Sequence, residues 1–164
     1  MIYAIVAVDN DYGIGFKGQL LEHIPEDLKM FKKLTKDNTV IMGNNTWISL
    51  PVKPLPQRTN IVITYNKLED TDDIKYMSLD EAKEYALNNE KDEEIFIIGG
   101  GMIYKEFLPI CDYVFLTKIF ITHENIDTYF PNLDLMSNWE CIEKGEISTY
   151  KDISYQFQLY RNNY

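Results

Sequence analysis

Residues 94–109 read Glu-Ile-Phe-Ile-Ile-Gly-Gly-Gly-Met-Ile-Tyr-Lys-Glu-Phe-Leu-Pro, and this stretch decides the fold class. Residues 94–98 are a short apolar run and predict a buried strand. The run enters Gly99-Gly100-Gly101 directly, and a helix over 102–108 follows, stopped by Pro109. Three glycines at a strand–helix junction let backbone approach a ligand closely, and the helix N-terminus favours an anion. The pattern is neither GxGxxG nor a P-loop, since it has no P-loop lysine. A tight turn without a ligand is the alternative, usual for one glycine and harder to sustain for three.

On the N-terminal side of this stretch, strands and helices alternate. Ile2–Val8 predicts a first buried strand, Thr39–Gly43 a second, residues 60–64 a third and Ile74–Met77 a short fourth. Helices are predicted over Pro25–Thr35, with Pro25 in its favoured first position, and over Leu79–Asn89, capped by Ser78. A short helix opens at Asn44-Asn45-Thr46-Trp47, with Asn or Thr as its cap. Residues 9–18 contain three glycines and no period, and read as a functional lid or an ordinary surface loop. Pro51, Pro54 and Pro56 mark a rigid connection carrying Leu55 and Arg58. On the C-terminal side, 113–121 is a strand and 127–131 a turn-rich connection. Residues 139–147 and 153–160 read as a closing antiparallel pair joined around 148–152. Alternation first and strands alone at the end predict an α/β sheet, mostly parallel, with an antiparallel edge.

The totals narrow the function classes. A length of 164 residues predicts one domain with a sizeable core. The net charge of −10, from 16 basic and 26 acidic side chains, argues against a nucleic-acid or membrane-surface role. Any anionic ligand must then be held by local donors. Cys111 and Cys141 are too few for a disulfide framework. No metal site is expected, because His23 and His123 are not paired in sequence with Cys or closely spaced carboxylates. The N-terminal run is broken at Asp9, so it is not read as a signal peptide, and no membrane span is predicted. A cytoplasmic monomer is the expectation, since no long exposed apolar helix face is visible.

The helix at Pro25–Thr35 carries the sharpest single residue. At about 100° per residue, Ile24, Leu28, Phe31, Leu34 and Thr35 share one side, with Lys29, Lys32, Lys33 and Lys36 opposite. Asp27 falls inside the apolar stripe as its only charged residue. It is either a first-turn acid favoured by the helix dipole, as Glu26 already is, or the partner of a polar group on a ligand.

Several signals stand in one order: the first strand with its glycine loop, IPEDLKMFK, VIMGNNTW, PLPQRTNIVIT, IFIIGGGMIY, VFLTKI and DTYFP. Over essentially its whole length the chain resembles the dihydrofolate reductase family. The resemblance implies a three-layer fold: a mostly parallel central sheet with an antiparallel C-terminal edge, between flanking helices. It implies NADPH-dependent reduction of 7,8-dihydrofolate to tetrahydrofolate, with hydride going to carbon 6 and a proton to nitrogen 5, in support of one-carbon metabolism. Asp27 matches the ionisable side chain of the pterin pocket, and Thr117 the residue bonded to it. Leu20 and Tyr104 complete the catalytic positions. Ile5, Leu28, Phe31, Leu50 and Leu55 match apolar walls, Ile98 a backbone carbonyl on the pterin, Arg58 the arginine on the glutamate tail, and Lys53 the rim. On the cofactor side stand Ala7, Ile14, Gly15, Gly18, Gln19, Gly43, Asn44, Asn45, Thr46, Thr64, Tyr65, Gly99, Gly100, Gly101, Met102, Ile103, Tyr104 and Thr128. Gly99 and Gly100 match the family's cis glycine pair. The lid, residues 9–21, is expected to close over the nicotinamide, and the proton to arrive by water.

The chain departs from the family at two places. Leu21-Glu22 replaces Pro-Trp, which puts Glu22 at the pocket mouth. It either stands beside Asp27, where desolvated carboxylates raise each other's pKa, or turns to solvent. Asn44-Asn45 stands where many members carry a cation for the 2′-phosphate of NADPH; Met102 adds no charge, which leaves Thr64, Tyr65 and Lys67. A related reductase of riboflavin synthesis and a non-catalytic nucleotide-binding module are the competing readings. Asp27 and Arg58 fit folate better. With Asn44-Asn45 in place, rates at equal low concentrations of NADPH and NADH should be comparable; a preference of several orders of magnitude would reject this.

Overall fold

In β1 (Ile2–Val8), Ile2, Ala4, Val6 and Val8 are buried in alternation with half-buried neighbours, so both faces of the strand are covered. A strand enclosed in this way belongs at the centre of a parallel sheet. The computed structural model describes residues 1–16, 19–20, 22–66 and 68–164, with backbone alone at 16, 19 and 20. The elements that follow are β2 (Gly13–Phe16), β3 (Gln19–Leu20), α1 (Pro25–Thr35), β4 (Thr39–Gly43), α2 (Asn44–Ser49), β5 (Thr59–Ile63) and β6 (Ile74–Met77). Then come α3 (Leu79–Asn89), β7 (Ile95–Ile97), α4 (Gly101–Phe107), β8 (Tyr113–Ile119), β9 (Thr128–Tyr129), β10 (Trp139–Lys144), β11 (Ser148–Tyr150) and β12 (Ile153–Asn162).

Among the described residues the main sheet has nine strands, in the order β10-β12-β8-β1-β7-β4-β5-β6, with β11 paired to β12. β8, β1, β7, β4, β5 and β6 run parallel, and β10, β11 and β12 add the antiparallel edge. The register places Ile2 opposite Ile95 and Tyr3 opposite Tyr113, so β1 is held by strands from the second half of the chain.

Helices cover both faces. On one, Ala82 and Ala86 of α3 and Ile103, Tyr104 and Phe107 of α4 pack on Ile2, Ile41, Ile61 and Ile97. On the other, Leu34 of α1 and Trp47 of α2 pack on Val40, Met42, Val62 and Phe96. This is the expected three-layer arrangement. Ser78 caps α3 in a full capping box, its side chain bonded to Glu81 N and Glu81 returning to Ser78 N.

The differences from expectation are local. Residues 9–20 carry β2 and β3, which join β9 in a small antiparallel sheet of order β3-β2-β9. Strands of two to four residues containing glycine carry no period. β8 stops at Ile119, where the chain turns and Ile121 N–H bonds the Ile119 carbonyl. β10 stops at Lys144, and residues 148–150, expected as a connection, are the strand β11 in a hairpin with β12. The hairpin turns at Lys151 and Asp152, whose φ values are 46° and 67°. The cap of α2 is Gly43, with no side-chain bond, rather than Asn or Thr.

Phe107 is fully buried between α4 and the sheet. Phe107→Ala should lower stability by about 3–5 kcal/mol, read as a fall in the denaturant midpoint.

Candidate active site

α1 is amphipathic, yet of its residues only Thr35 is buried, and Leu28 is 48% exposed. An apolar stripe that the protein itself leaves half-covered is available to a ligand. Asp27 stands on the first turn of this helix, half-buried, with its N–H bonded to the Ile24 carbonyl at 3.0 Å. Thr117, on β8, donates its hydroxyl to Asp27 Oδ1 at 2.6 Å. Burial pushes the Asp27 carboxyl above its usual range, and the Thr117 bond opposes this. The two residues share a cavity of about 170 Å³ with Ile5, Met30, Leu34, Phe115 and Phe157. The cavity is apolar apart from Asp27, Thr117 and, on the strands behind, Glu143 and Gln158.

Ile5 links this pocket to the glycine junction. Tyr104, buried on α4, donates its hydroxyl to the Ile5 carbonyl at 2.7 Å. Burial, reinforced by the Asp27 charge, pushes the phenol far up, so it remains a donor. The peptide between Gly99 and Gly100 is cis, and Gly99 has φ 122°, a conformation that favours glycine. Gly99 also accepts the Gly43 N–H at 2.8 Å, which joins the ends of β4 and β7. A Cβ at Gly99 would press on the Tyr104 ring at 3.3 Å, and one at Gly100 would meet Thr46 Oγ1 at 3.6 Å. At Gly101 a Cβ would stand 2.5 Å from the Thr128 methyl, and at Gly43 3.0 Å from Ile103. The structure thus brings Gly43, Thr46, Gly99, Gly100, Gly101, Ile103, Tyr104 and Thr128 together. They form a backbone-lined cradle at the starts of α2 and α4.

Arg58 is 8% exposed. Its Nε donates to the Pro56 carbonyl and its Nη1 to Thr35 Oγ1, both at 3.0 Å, and its guanidinium lies 5.9 Å from the Phe31 ring centroid. The head is thereby fixed beside the apolar stripe. Leu50 and Leu55 pack half-buried on the same core face, with Ile98. Ala7 lies half-buried against Ile24 and Ile119, and Ile14 packs on the opposite core. Gly15 is buried in β2, its carbonyl accepting the Asp127 N–H at 3.2 Å.

Other expected positions stand apart. Lys53 donates to the carbonyls of Ile48 and Leu50, at the C-terminal end of α2. Asn44, Asn45 and Met102 are exposed at helix starts, Tyr65 is 86% exposed past β5, and Thr64 is half-buried, accepting the Asn66 N–H. Gly18, Leu21 and Lys67 lie outside the described residues, and Gln19 and Leu20 are described as β3 backbone only. Glu22 does not turn free into solvent: its Oε1 lies 3.0 Å from His123 Nε2, and it is not among the residues that line the Asp27 cavity.

Two supporting roles lacked a sequence signal. Asn60, fully buried, bonds Leu55 N at 3.0 Å and the carbonyls of Leu55 and Arg58, also at 3.0 Å, so it shapes the loop that presents Arg58. Thr35 supplies the hydroxyl that holds Arg58; its buried place on α1 was visible, its role was not.

The dihydrofolate reductase family model matches residues 1–162. The dihydrofolate reductase of Buchnera aphidicola from Acyrthosiphon pisum is 35% identical, over 96% of this chain and 97% of that protein. The dihydrofolate reductase of Bacillus subtilis is 35% identical over 98% and 94%. A solved dihydrofolate reductase from Enterococcus faecalis, complexed with NADP(H) and RAB-propyl, superposes with a TM-score of 0.84 at 35% identity, covering 100% of this chain and 97% of that one.

Because burial raises the Asp27 carboxyl, the folded chain keeps a proton that the unfolded chain has already released. Stability therefore falls as pH rises through that window, and the whole penalty is present above the folded value. Asp27→Asn removes the ionisation, so its melting temperature at pH 7 should exceed the wild-type value, and the gap should close below about pH 4.

Proposed function

The chain belongs to the dihydrofolate reductase family, and we propose that the Asp27–Thr117 pair is where it binds and polarises dihydrofolate for reduction by NADPH. The observation that carries this is a carboxylate seated among Ile5, Leu34 and Phe115 with one hydroxyl for support. The flat N–C–N edge of a 2-amino-4-oxopteridine offers two parallel donors, which a carboxylate accepts together. Pairing with such donors relieves the desolvation that raises the Asp27 carboxyl.

Ile5, Leu28, Phe31, Leu50 and Leu55 enclose the rings and keep the surroundings apolar, which strengthens the field of Asp27. The Ile98 carbonyl faces the pterin beside the glycine junction. Arg58, with Nε and Nη1 already held, directs its remaining N–H groups to the carboxylate of the glutamate tail. Lys53 serves the rim from the end of α2. Asp27 binds and polarises at the far edge of the ring; water carries the proton to nitrogen 5.

The cradle fits a pyrophosphate. Side chains at Gly99 and Gly101 would press on Tyr104 and Thr128, so the backbone there stays bare, and the starts of α2 and α4 direct N–H groups toward it beside the Thr46 hydroxyl. Gly43, Thr46, Thr128 and residues 99–103 hold the phosphates; Ala7, Ile14, Gly15, Gln19, Leu20 and Tyr104 serve the nicotinamide, as does Gly18 by its place in the family pattern; Asn44, Asn45, Thr64 and Tyr65 serve the adenosine half. Bound NADPH supplies the hydride. Tyr104, through the Ile5 carbonyl, keeps the wall between the two ligands in place.

The chain acts as one domain over residues 1–164, as a cytoplasmic monomer without nucleic-acid partners. In support, the family model spans 162 residues, net charge is −10, and among the described residues no helix is long and apolar enough to cross a membrane. The test is loss of reduced-nicotinamide absorbance with dihydrofolate and NADPH. Wild type should turn over, and Asp27→Asn should be slower by roughly 10²-fold or more. A folded wild type that binds NADPH without turning over dihydrofolate would overturn the reading.

A further inference from the structure

Asp9, His123 and Glu22 form a chain of side chains outside the residues assigned above. They come from the end of β1, the loop after β8 and the approach to α1. Asp9 is fully buried. Its Oδ1 accepts the N–H groups of Asp11 at 2.9 Å and Gly13 at 2.8 Å, and its Oδ2 accepts the His123 N–H at 3.2 Å. The same Oδ2 lies 3.1 Å from His123 Nδ1, while Nε2, across the ring, lies 3.0 Å from Glu22 Oε1. The carboxylates flank the ring rather than converge on a point, and no metal-holding group occurs among the described residues.

A neutral imidazole has one donor nitrogen and one acceptor. Here each nitrogen faces a carboxylate oxygen, so a neutral ring would aim a lone pair at an anion. The His123, Asp9 and Glu22 side chains are 18%, 0% and 24% exposed, which leaves little solvent to screen that repulsion. The imidazolium donates on both sides and satisfies both partners.

We propose that His123, as the imidazolium, is a positioning residue that straps Glu22 to Asp9 and so fixes the approach to α1, on whose first turn Asp27 stands. The positioning role rests on the reading of Asp27 as the pterin-binding carboxylate. α1 has no side-chain cap, so its start depends on what precedes it. Ile24, two residues after Glu22, is the N-cap and is buried, and its carbonyl accepts the N–H groups of Asp27 at 3.0 Å and Leu28 at 3.1 Å. A displacement of Glu22 therefore reaches Asp27 through one rigid turn.

The strap depends on pH. Burial alone would push the ring toward its neutral form; the bonds to Glu22 and Asp9 outweigh this and hold it above the ordinary histidine value. Asp9 stays ionised: burial would raise its carboxyl, but the N–H groups of Gly13, Asp11 and His123 and the His123 ring hold it below the usual range. Lys118, over the Tyr12 ring and bonded to the Asn10 carbonyl, is the fixed cation among the described residues of these segments. Asp11, His23, Glu26, Glu124 and Asp127 are their remaining titratable groups. The strap is whole below the unfolded value, about pH 6.5, and is lost as pH rises through the raised folded value.

Two measurements on the full chain test this: NMR titration of the His123 ring, and kcat and KM for dihydrofolate from about pH 6 to about pH 9. In Glu22→Gln the introduced amide can donate to a neutral Nε2, so the strap survives without the extra proton. Wild-type KM should rise roughly threefold through the His123 midpoint, while Glu22→Gln stays low and flat and Glu22→Ala is raised throughout. The His123 midpoint should fall in both variants. An unmoved midpoint in Glu22→Gln overturns the strap, and a Glu22→Ala profile that follows wild type overturns the positioning role. A wild type without dihydrofolate turnover overturns the assigned activity and the positioning role with it, while the titration still decides the strap.

Discussion

The hydrogen bond from Thr117 to Asp27 joins the first turn of α1 to the sheet, and the pocket is arranged about it. Burial beneath the first turn of α1 desolvates the carboxylate, and the Thr117 hydroxyl is the side-chain donor in place. A charge in that setting costs free energy until a ligand supplies the missing donors. On the proposed reading of Asp27, binding and polarisation come from the same deficit.

The cofactor side is governed by close approach of backbone. The ends of β4 and β7 meet through the Gly43 N–H and the Gly99 carbonyl, and α2 and α4 start from that meeting point. Side chains at Gly43, Gly99 or Gly101 would intrude on Ile103, Tyr104 or Thr128. With these absent, two helix N-termini open on one space. For a chain of net charge −10, local donors of this kind are the means of holding a polyanion.

Sequence reading reached the elements whose signals are local. Pro25 opened α1, Ser78 opened α3, and the apolar runs of β1 and β4 marked buried strands. It missed the small sheet of β2, β3 and β9, because Gly13 finds Tyr129 only after the intervening chain has folded. Within the site, Asp27 stood out because a carboxylate breaks an apolar stripe. The cap of α2 was misassigned because Gly43, which lets Ile103 approach, occupies the place that Asn44 or Thr46 would suit. Asn60 and the Asp9–His123–Glu22 chain left no local trace, since each acts on partners that spacing does not reveal. Glu22 read as a change at the pocket mouth because its partner lies 101 residues away.

The place of β1 between β7 and β8 bears on how the molecule comes to exist. Its register partners, Ile95 to Ile97 and Tyr113 to Lys118, are made long after it. Until they emerge, this apolar strand has neither edge paired, and closing it means bringing together segments about a hundred residues apart at the cost of loop entropy. β4, β5 and β6, which pair in sequence order, are free to assemble earlier. A chain that has not yet reached β7 therefore carries a first strand with neither edge paired, an aggregation-prone state that is relieved on one side by β7 and on the other by β8.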